Sequence, residues 1–176
     1  VFGITTGASH RDDLLPHGPH AVLNALSELH AHLAPADLHT VTGRLASGLG
    51  EARGFLAIDW VRDAIETVLG GPFHPGTVNL ALDAMTAAQV ARLRVEPGLR
   101  RHELAARGDF CPALLYAATV THGAFSTPAL LLWPQVPGYP DDKLELICPI
   151  ALRDGWGIAD GARLEVRHHT LEDTWP

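Results

Sequence analysis

Short apolar runs separated by turn residues dominate the chain from Thr40 onward, and they limit the folds that it can adopt. The runs with the composition of strands cover residues 40–46, 54–58, 77–82, 110–120, 129–133, 144–152 and 163–168. Predicted helices are few: residues 60–69, with Asp59 as N-cap and Gly70-Gly71 as the stop, and residues 86–93. Because strands and helices do not alternate, the pattern predicts a barrel or a related closed sheet rather than a Rossmann fold.

The first 38 residues have a different pattern. Residues 1–5 are compatible with a short strand, residues 7–19 with a loop, and Pro19 with the first turn of a helix. The apolar residues of that helix recur at helical spacing, at Val22, Leu26, Leu29 and Leu33. We therefore expect an amphipathic helix that packs on the main domain or on a partner subunit, with a homodimer as one possibility. The predicted division is an N-terminal extension of residues 1–38, a barrel of residues 39–170 and a tail of residues 171–176.

Composition narrows the class of protein. The chain has 176 residues, of which 47% are apolar, which is enough for a globular domain with a core. Its net charge of −7 argues against a general nucleic-acid-binding protein but leaves room for a nucleotide pocket. Cys111 and Cys148 lie in apolar runs, which favours buried free thiols, and hence a cytoplasmic location, over a disulfide. No apolar run approaches the roughly 20 residues that span a bilayer, so no membrane association is expected.

Two short motifs carry the strongest chemical signal. Residues 47–53 form a glycine-rich loop whose backbone N–H groups are able to approach a polyphosphate, although a tight turn between strands explains the glycines equally well. No Gly-Lys-Ser/Thr follows, so the loop is not a Walker P-loop. Thr77 and Asn79 stand two residues apart on a predicted strand, so their oxygen atoms share one face and suit Mg²⁺. The alternative is a polar strand start after the Pro75-Gly76 turn.

Three charged side chains are further candidates. Arg53 is able to pair with phosphate oxygens, and Arg153 is able to contact either phosphate or base. The alternative for each is a solvent-exposed arginine. Glu145 lies within an apolar run, where it either faces solvent by strand alternation or faces a pocket. In a pocket, its carboxylate is able to orient or deprotonate a hydroxyl group.

These motifs, in this order, resemble those of the archaeal CTP-dependent riboflavin kinase family. The resemblance covers about residues 40–168 and rests on the segments Gly43–Leu56, Leu69–Leu80, Phe110–Ala118, Leu144–Arg153 and Gly157–Gly161. It implies a mainly β fold, a six-stranded cradle-loop barrel with short helices. It also implies a kinase that transfers the γ-phosphate of CTP to the 5′-hydroxyl of riboflavin, with Mg²⁺.

The resemblance assigns a role to each candidate residue. It implies that the nucleotide contacts Gly48, Leu49, Gly50, Glu51, Ala52, Arg53, Ile150, Ala151, Leu152 and Arg153. It implies that Thr77 and Asn79 bind Mg²⁺. Glu145 is placed beside the acceptor as the catalytic residue, and Pro137 and Tyr139 fall in the segment that contacts the acceptor.

The chain also departs from the family pattern. Ala52 replaces a glycine of the loop, Leu114 replaces a common lysine, and Pro137 stands where the family has a threonine. Proline has neither a hydroxyl nor an N–H group, so the acceptor motif is less well kept than the nucleotide motif. Two alternatives to a riboflavin kinase therefore remain: a CTP-dependent kinase for a different small hydroxylated acceptor, or a non-catalytic domain that binds a nucleotide or flavin.

Overall fold

A computed structural model of the chain describes residues 2–5, 10–17, 21–23, 39–48, 50, 52–108 and 110–175. These residues form nine strands: β1 Phe2–Ile4, β2 Ala21–Leu23, β3 Thr40–Ala46, β4 Val78–Ala81, β5 Arg101–Leu104, β6 Ala113–His122, β7 Phe125–Pro134, β8 Lys143–Ile147 and β9 Arg163–His168. They also form five α-helices: α1 Arg11–Leu14, α2 Ala52–Leu56, α3 Asp59–Leu69, α4 Ala84–Leu93 and α5 Leu152–Trp156. A 3₁₀ turn covers Leu15–His17. The prediction of a mainly β chain with short helices is confirmed.

The contacts divide the chain into two units, Val1–Leu38 and His39–Pro176. In the first unit, β1 pairs in parallel with β2. In the second, β6, β7, β8, β4, β3 and β9 are hydrogen-bonded in that order, and β9 pairs back onto β6. Six strands thus form a closed ring of antiparallel pairs, and β5 adds to β6 outside the ring.

The core of the second unit has two layers. One apolar cluster takes residues from all six strands of the ring, including Val41, Leu80, Leu131, Leu146 and Val166, and therefore fills its interior. A second cluster lies on the outer face, where α3 packs its buried side chains on strands β5 to β8. Because side chains alternate along a strand, the residues between the interior ones face outward. Asn79 and Glu145 are two of these outward-facing residues.

Three strands of the ring, β3, β4 and β9, were predicted well. The bounds of β3 and β9 match the prediction, and β4 begins and ends one residue inside it. The helix α4 begins at Ala84, two residues before the predicted start, because the Asp83 carboxylate accepts a hydrogen bond from the Thr86 N–H and caps it. The strand β5 was not predicted, since its sequence Arg-His-Glu-Leu lacks the β-branched and aromatic residues typical of strands.

Two predicted strands are wrong. Residues 54–58 do not form a strand, and α2 occupies Ala52–Leu56 instead. A short apolar run has no periodicity that separates strand from helix, and here Leu56 is buried beneath α3 in the outer cluster. The run 144–152 is a strand only to Ile147, because Pro149 lacks the N–H that would continue the ladder, and α5 begins at Leu152.

Other local predictions also need correction. The helix α3 begins at Asp59 itself, so the N-cap position falls on Ile58, and Asp59 instead pairs with Arg62 one turn later. Gly70 does end this helix, in the left-handed conformation.

The predictions for the N-terminal residues also need correction. Within the predicted loop 7–19, residues 11–14 are helical. Residues 21–23 form β2 rather than a helix, because they pair with β1. The remainder of the predicted N-terminal helix, and the dimer contact assigned to it, lie outside the described residues.

Candidate functional site

A cleft lies where β3 ends and β4 begins. Its volume is about 300 Å³, and it is lined by Leu45–Gly48, His74, Thr77–Asn79 and Ala151–Asp154. A neighbouring cleft of about 310 Å³ shares four of these residues and adds Gly50, Ala52, Arg53 and Gly76. The two clefts together form one candidate site at the end of the ring where β3 ends and β4 begins. The glycine loop, the Thr77/Asn79 pair and residues 151–153, all selected from the sequence, therefore meet at one place.

Gly48 and Asn79 approach each other closely at the centre of this site. A Cβ atom on Gly48 would lie 2.2 Å from Nδ2 of Asn79, a separation that real Cβ atoms do not show. Asn79 is only 9% exposed. A glycine at position 48 is therefore required for the Asn79 side chain to occupy its place.

The amide oxygen of Asn79 accepts no hydrogen bond from any residue that the structure describes. Its Nδ2 atom makes a long contact of 3.5 Å with the Thr77 carbonyl oxygen, whereas Oδ1 is buried without a hydrogen-bond partner among the described residues. A buried acceptor without a partner costs about 1–3 kcal/mol, so such atoms are rare unless something else binds them. The neutral oxygen atoms of Asn79 and Thr77 are of the type that a hard divalent cation prefers, so the residues present fit such an ion.

Two predicted nucleotide contacts, Leu49 and Glu51, lie outside the described residues. Their neighbours are placed: Gly50 has φ of 75°, a left-handed conformation that favours glycine, and Arg53 lies at the start of α2. Arg53 is exposed and lines the second cleft. Ala52, where the family pattern has glycine, lines the same cleft.

On the opposite wall, Arg153 is fixed by an acidic residue that the sequence analysis did not select. Asp160 ion-pairs with Arg153 and accepts a hydrogen bond of 2.7 Å from the Ser47 hydroxyl. The Ser47 hydrogen bond first, and the Arg153 contact second, hold the pKa of the Asp160 carboxyl below its ordinary value. Asp160 thus ties the end of β3 to α5. Of the predicted residues here, Ala151, Leu152 and Arg153 line the cleft, whereas Ile150 is exposed and lines neither cleft.

Glu145 lies beside Asn79 on the outer face. The two residues are directly opposed in the β4–β8 ladder, which places their side chains next to each other. Glu145 is 9% exposed, and its Oε1 atom accepts a hydrogen bond of 3.0 Å from the Tyr139 hydroxyl and an ion pair from Lys143. Burial, and then the nearby Glu145 charge, raise the pKa of Tyr139. The carboxylate is therefore held in one orientation.

Pro137 and Tyr139 occupy different environments. Pro137 is exposed in the turn between β7 and β8 and lines neither cleft. Tyr139 turns back onto Glu145. Sequence reasoning missed Lys143, His74 and Asp160. Lys143 was accessible to it, because residues two apart on a strand share a face, whereas His74 and Asp160 lie in loops with no periodic signal.

The described part of the chain holds no group of three or more histidine, cysteine, aspartate or glutamate side chains arranged for a metal ion. Both cysteines are free, as predicted, but only Cys148 is buried, and Cys111 is partly exposed. Burial raises the pKa of its thiol to about 12. No helix among the described residues is long and apolar enough to cross a membrane.

The fold and the site together define a class: a closed ring of six antiparallel strands with a glycine-lined polar cleft where β3 ends and β4 begins. A family model named for the CTP-dependent riboflavin kinases, and described as domain of unknown function DUF120, matches residues 45–167. The chain belongs to this family.

Curated relatives agree with this match. A riboflavin kinase of Pyrobaculum islandicum is 30% identical over 134 residues, which cover 72% of this chain and 58% of that protein. A riboflavin kinase of Saccharolobus solfataricus is 26% identical over 155 residues, which cover 87% of each chain. Against the Pyrobaculum islandicum and Pyrobaculum calidifontis proteins, the chain spans 58% of the relative's length.

Proposed function

We propose that this chain is a riboflavin kinase that uses CTP as phosphate donor, giving FMN and CDP, with Mg²⁺. The family match over residues 45–167 supports the reaction. The observation that carries the proposal to this chain's own residues is the buried Asn79 Oδ1 atom, which lacks a donor among the described residues at the centre of a glycine-lined cleft. In the same proposal, the ring of six strands is the cradle-loop barrel of the family, within residues 39–170.

The nucleotide is proposed to lie across the two adjoining clefts. Gly48 to Arg53 would contact its phosphates from one side, and Ala151 to Arg153 from the other. The absence of a Cβ at Gly48 lets the backbone come close to the bound group, and the Arg53 guanidinium supplies a fork of donors for phosphate oxygens. Asp160 holds Arg153 at the wall of the cleft.

Thr77 and Asn79 are proposed to hold the magnesium ion. When bound, the ion would neutralise charge on the phosphate oxygens during transfer. Asn79 is kept in place by burial and by its contact with Thr77, so its oxygen atom is oriented before the ion arrives. Preorganised positioning of this kind contributes most of the catalysis in phosphoryl transfer.

Glu145 is proposed to act on the acceptor. Tyr139 and Lys143 both bind its Oε1 atom, which leaves Oε2 as the atom to accept the proton of the acceptor hydroxyl. The hydroxyl oxygen then bonds to the γ-phosphorus as the bond to the bridging oxygen breaks, and CDP departs. The register that opposes Glu145 to Asn79 keeps the acceptor and phosphate sites adjacent.

A different small hydroxylated acceptor is the second candidate. Pro137 is exposed in a turn and supplies no donor, and the Tyr139 hydroxyl already donates to Glu145. Both features remove polar groups from the segment that the family uses at its acceptor. They support an acceptor site that differs from that of the family, while the donor site stays the same.

A phosphoryl-transfer assay tests the proposal. The full chain is incubated with Mg²⁺, riboflavin and either CTP or ATP, and FMN and CDP are quantified. FMN formed with CTP and not with ATP supports the riboflavin kinase. CDP formed from CTP with another hydroxylated acceptor, and no FMN from riboflavin, supports the second candidate. Failure to bind CTP would overturn both, and omission of Mg²⁺ from a matched reaction tests the metal requirement.

A further inference from the structure

A row of cationic side chains crosses the outer face of the ring next to the candidate site. In the strand ladders, Arg163 is opposed to Arg44, Arg44 to Ala81, and Ala81 to Lys143. Directly opposed residues of antiparallel strands point to the same face, so these four side chains form one row. Three of the four are cations, and the alanine between them has a small side chain.

Arg44 and Arg163 form no ion pair with any residue that the structure describes. Like charges directly opposite each other in a sheet are destabilising, so the two guanidinium groups repel each other, and the Asp83 carboxylate offsets part of that repulsion at Arg163. Within the described part of the chain, the Arg44 guanidinium donates only to the Gly161 carbonyl oxygen, at 3.3 Å. By contrast, Arg167, on the same face of β9, pairs with Asp173 at 3.1 Å.

The two arginines border an open cleft. Its volume is about 380 Å³, and its lining also includes Thr42, Ala81 and Asp83. The Asp83 carboxylate faces the first turn of α4, where it accepts the Thr86 N–H at 2.8 Å. It caps the helix and also attracts the Arg163 guanidinium, so two guanidinium groups share the cleft with one carboxylate. Lys143, at the far end of the row, is already paired with Glu145.

We propose that the Arg44–Arg163 cleft is a second oxyanion site, which binds a small phosphate-bearing anion separately from the Gly48–Asn79 cleft. Two guanidinium forks on adjacent strands match the planar, bidentate geometry of phosphate oxygens. An anion there relieves the repulsion between the two arginines. The site lies two residues along β3 and β4 from Ala46 and Asn79, a distance of about 7 Å along the strands. It does not depend on the kinase activity.

Binding of inorganic pyrophosphate to the full chain tests this proposal by ¹H–¹⁵N NMR titration. We expect saturable shifts in the arginine Nε–H signals of Arg44 and Arg163 and in the amides of residues 42–44 and 81–83. Arg44→Gln and Arg163→Gln should each weaken binding by about tenfold or more. Arg163→Lys keeps the charge but loses the bidentate geometry of the guanidinium. Its affinity for pyrophosphate should lie between that of the two glutamine variants and that of the unaltered protein.

Arg167→Gln is the matched control, because it removes the same charge from the same strand and face. Its pyrophosphate affinity should stay within about twofold of the unaltered protein. Equal weakening by all three glutamine substitutions would mean non-specific attraction and overturn the proposal. Thermal unfolding of each variant separates lost binding from lost folding.

A second titration, at saturating CTP, separates this site from the nucleotide cleft. Pyrophosphate shifts that persist around Arg44 support a separate site. Shifts that CTP abolishes, or that centre on Gly48 and Asn79, would assign the anion to the nucleotide cleft and overturn the proposal. Neither result depends on whether FMN is formed.

Discussion

The missing side chain of Gly48 leaves the space that the amide of Asn79 occupies, since a Cβ at position 48 would lie 2.2 Å from Nδ2. This relationship joins the end of β3 to β4 across the candidate site. It also explains why a glycine that has no left-handed conformation is needed here: the requirement is for space and not for backbone freedom.

Gly48→Ala should therefore displace Asn79 and lower kcat/KM for CTP by about tenfold or more, because small displacements of positioning groups are costly in phosphoryl transfer. Steady-state kinetics with varied CTP measures the change. Gly54→Ala is the matched control, since nothing lies within 4 Å of the added Cβ and the position is helical. Similar losses of activity in both variants would contradict the steric argument.

Thr77→Ala with Asn79→Ala should abolish Mg²⁺-dependent turnover and leave the fold intact. Removing Asn79 also removes a buried oxygen that has no partner among the described residues, so the free energy of unfolding should change by less than about 2 kcal/mol. Mg²⁺ titration of the activity and urea denaturation measure the two quantities. Thr67→Ala, which alters an exposed hydroxyl on α3, serves as control. Undiminished activity in the double variant would remove the metal assignment.

Glu145→Gln should lower kcat by about a hundredfold or more, with a small effect on the KM for CTP, because a general base acts on the chemical step. The amide keeps the shape of the side chain and can still accept from Tyr139. The comparison is Glu165→Gln, an exposed carboxylate on β9. A KM effect without a kcat effect would show that Glu145 binds substrate and does not take its proton.

Stability should fall on mild acidification because of His168. Burial lowers the pKa of its ring to about 4, although its Nδ1–H donates to the His39 carbonyl oxygen. An unfolded histidine has a pKa of about 6.5, so between these values the unfolded chain binds a proton that the folded chain does not. The free energy of unfolding therefore decreases as pH falls through this window, by about 2 kcal/mol between pH 7.5 and 5.

Urea denaturation at the two pH values measures this dependence. His168→Gln should remove the His168 contribution and leave the part that comes from His169, whose pKa is also lowered by burial. His102→Gln, at an exposed position on β5, should keep the full dependence. A pH dependence that is unchanged in the His168 variant would contradict the assignment.

Local sequence determined the elements whose residues interact mainly with their own neighbours. Buried and exposed side chains alternate along β3 and β9 because successive side chains of a strand point to opposite faces. The helix α3 ends at Gly70 because glycine readily adopts the left-handed conformation. The order of the motifs along the chain also indicated the family, because that order does not depend on how the chain folds. These motifs are the glycine loop, the Thr77/Asn79 pair and Glu145.

Tertiary structure decided what depends on distant contacts. Burial of Leu56 beneath α3 made residues 52–56 a helix, and pairing with β1 made residues 21–23 a strand. Pairing of β3 with β9 brought Ser47 to Asp160 and set Arg44 against Arg163, and pairing of β9 with β6 closed the ring. A sequence shows which side chains a strand carries, but ring closure and register decide which of them meet, because those contacts join residues far apart in the chain.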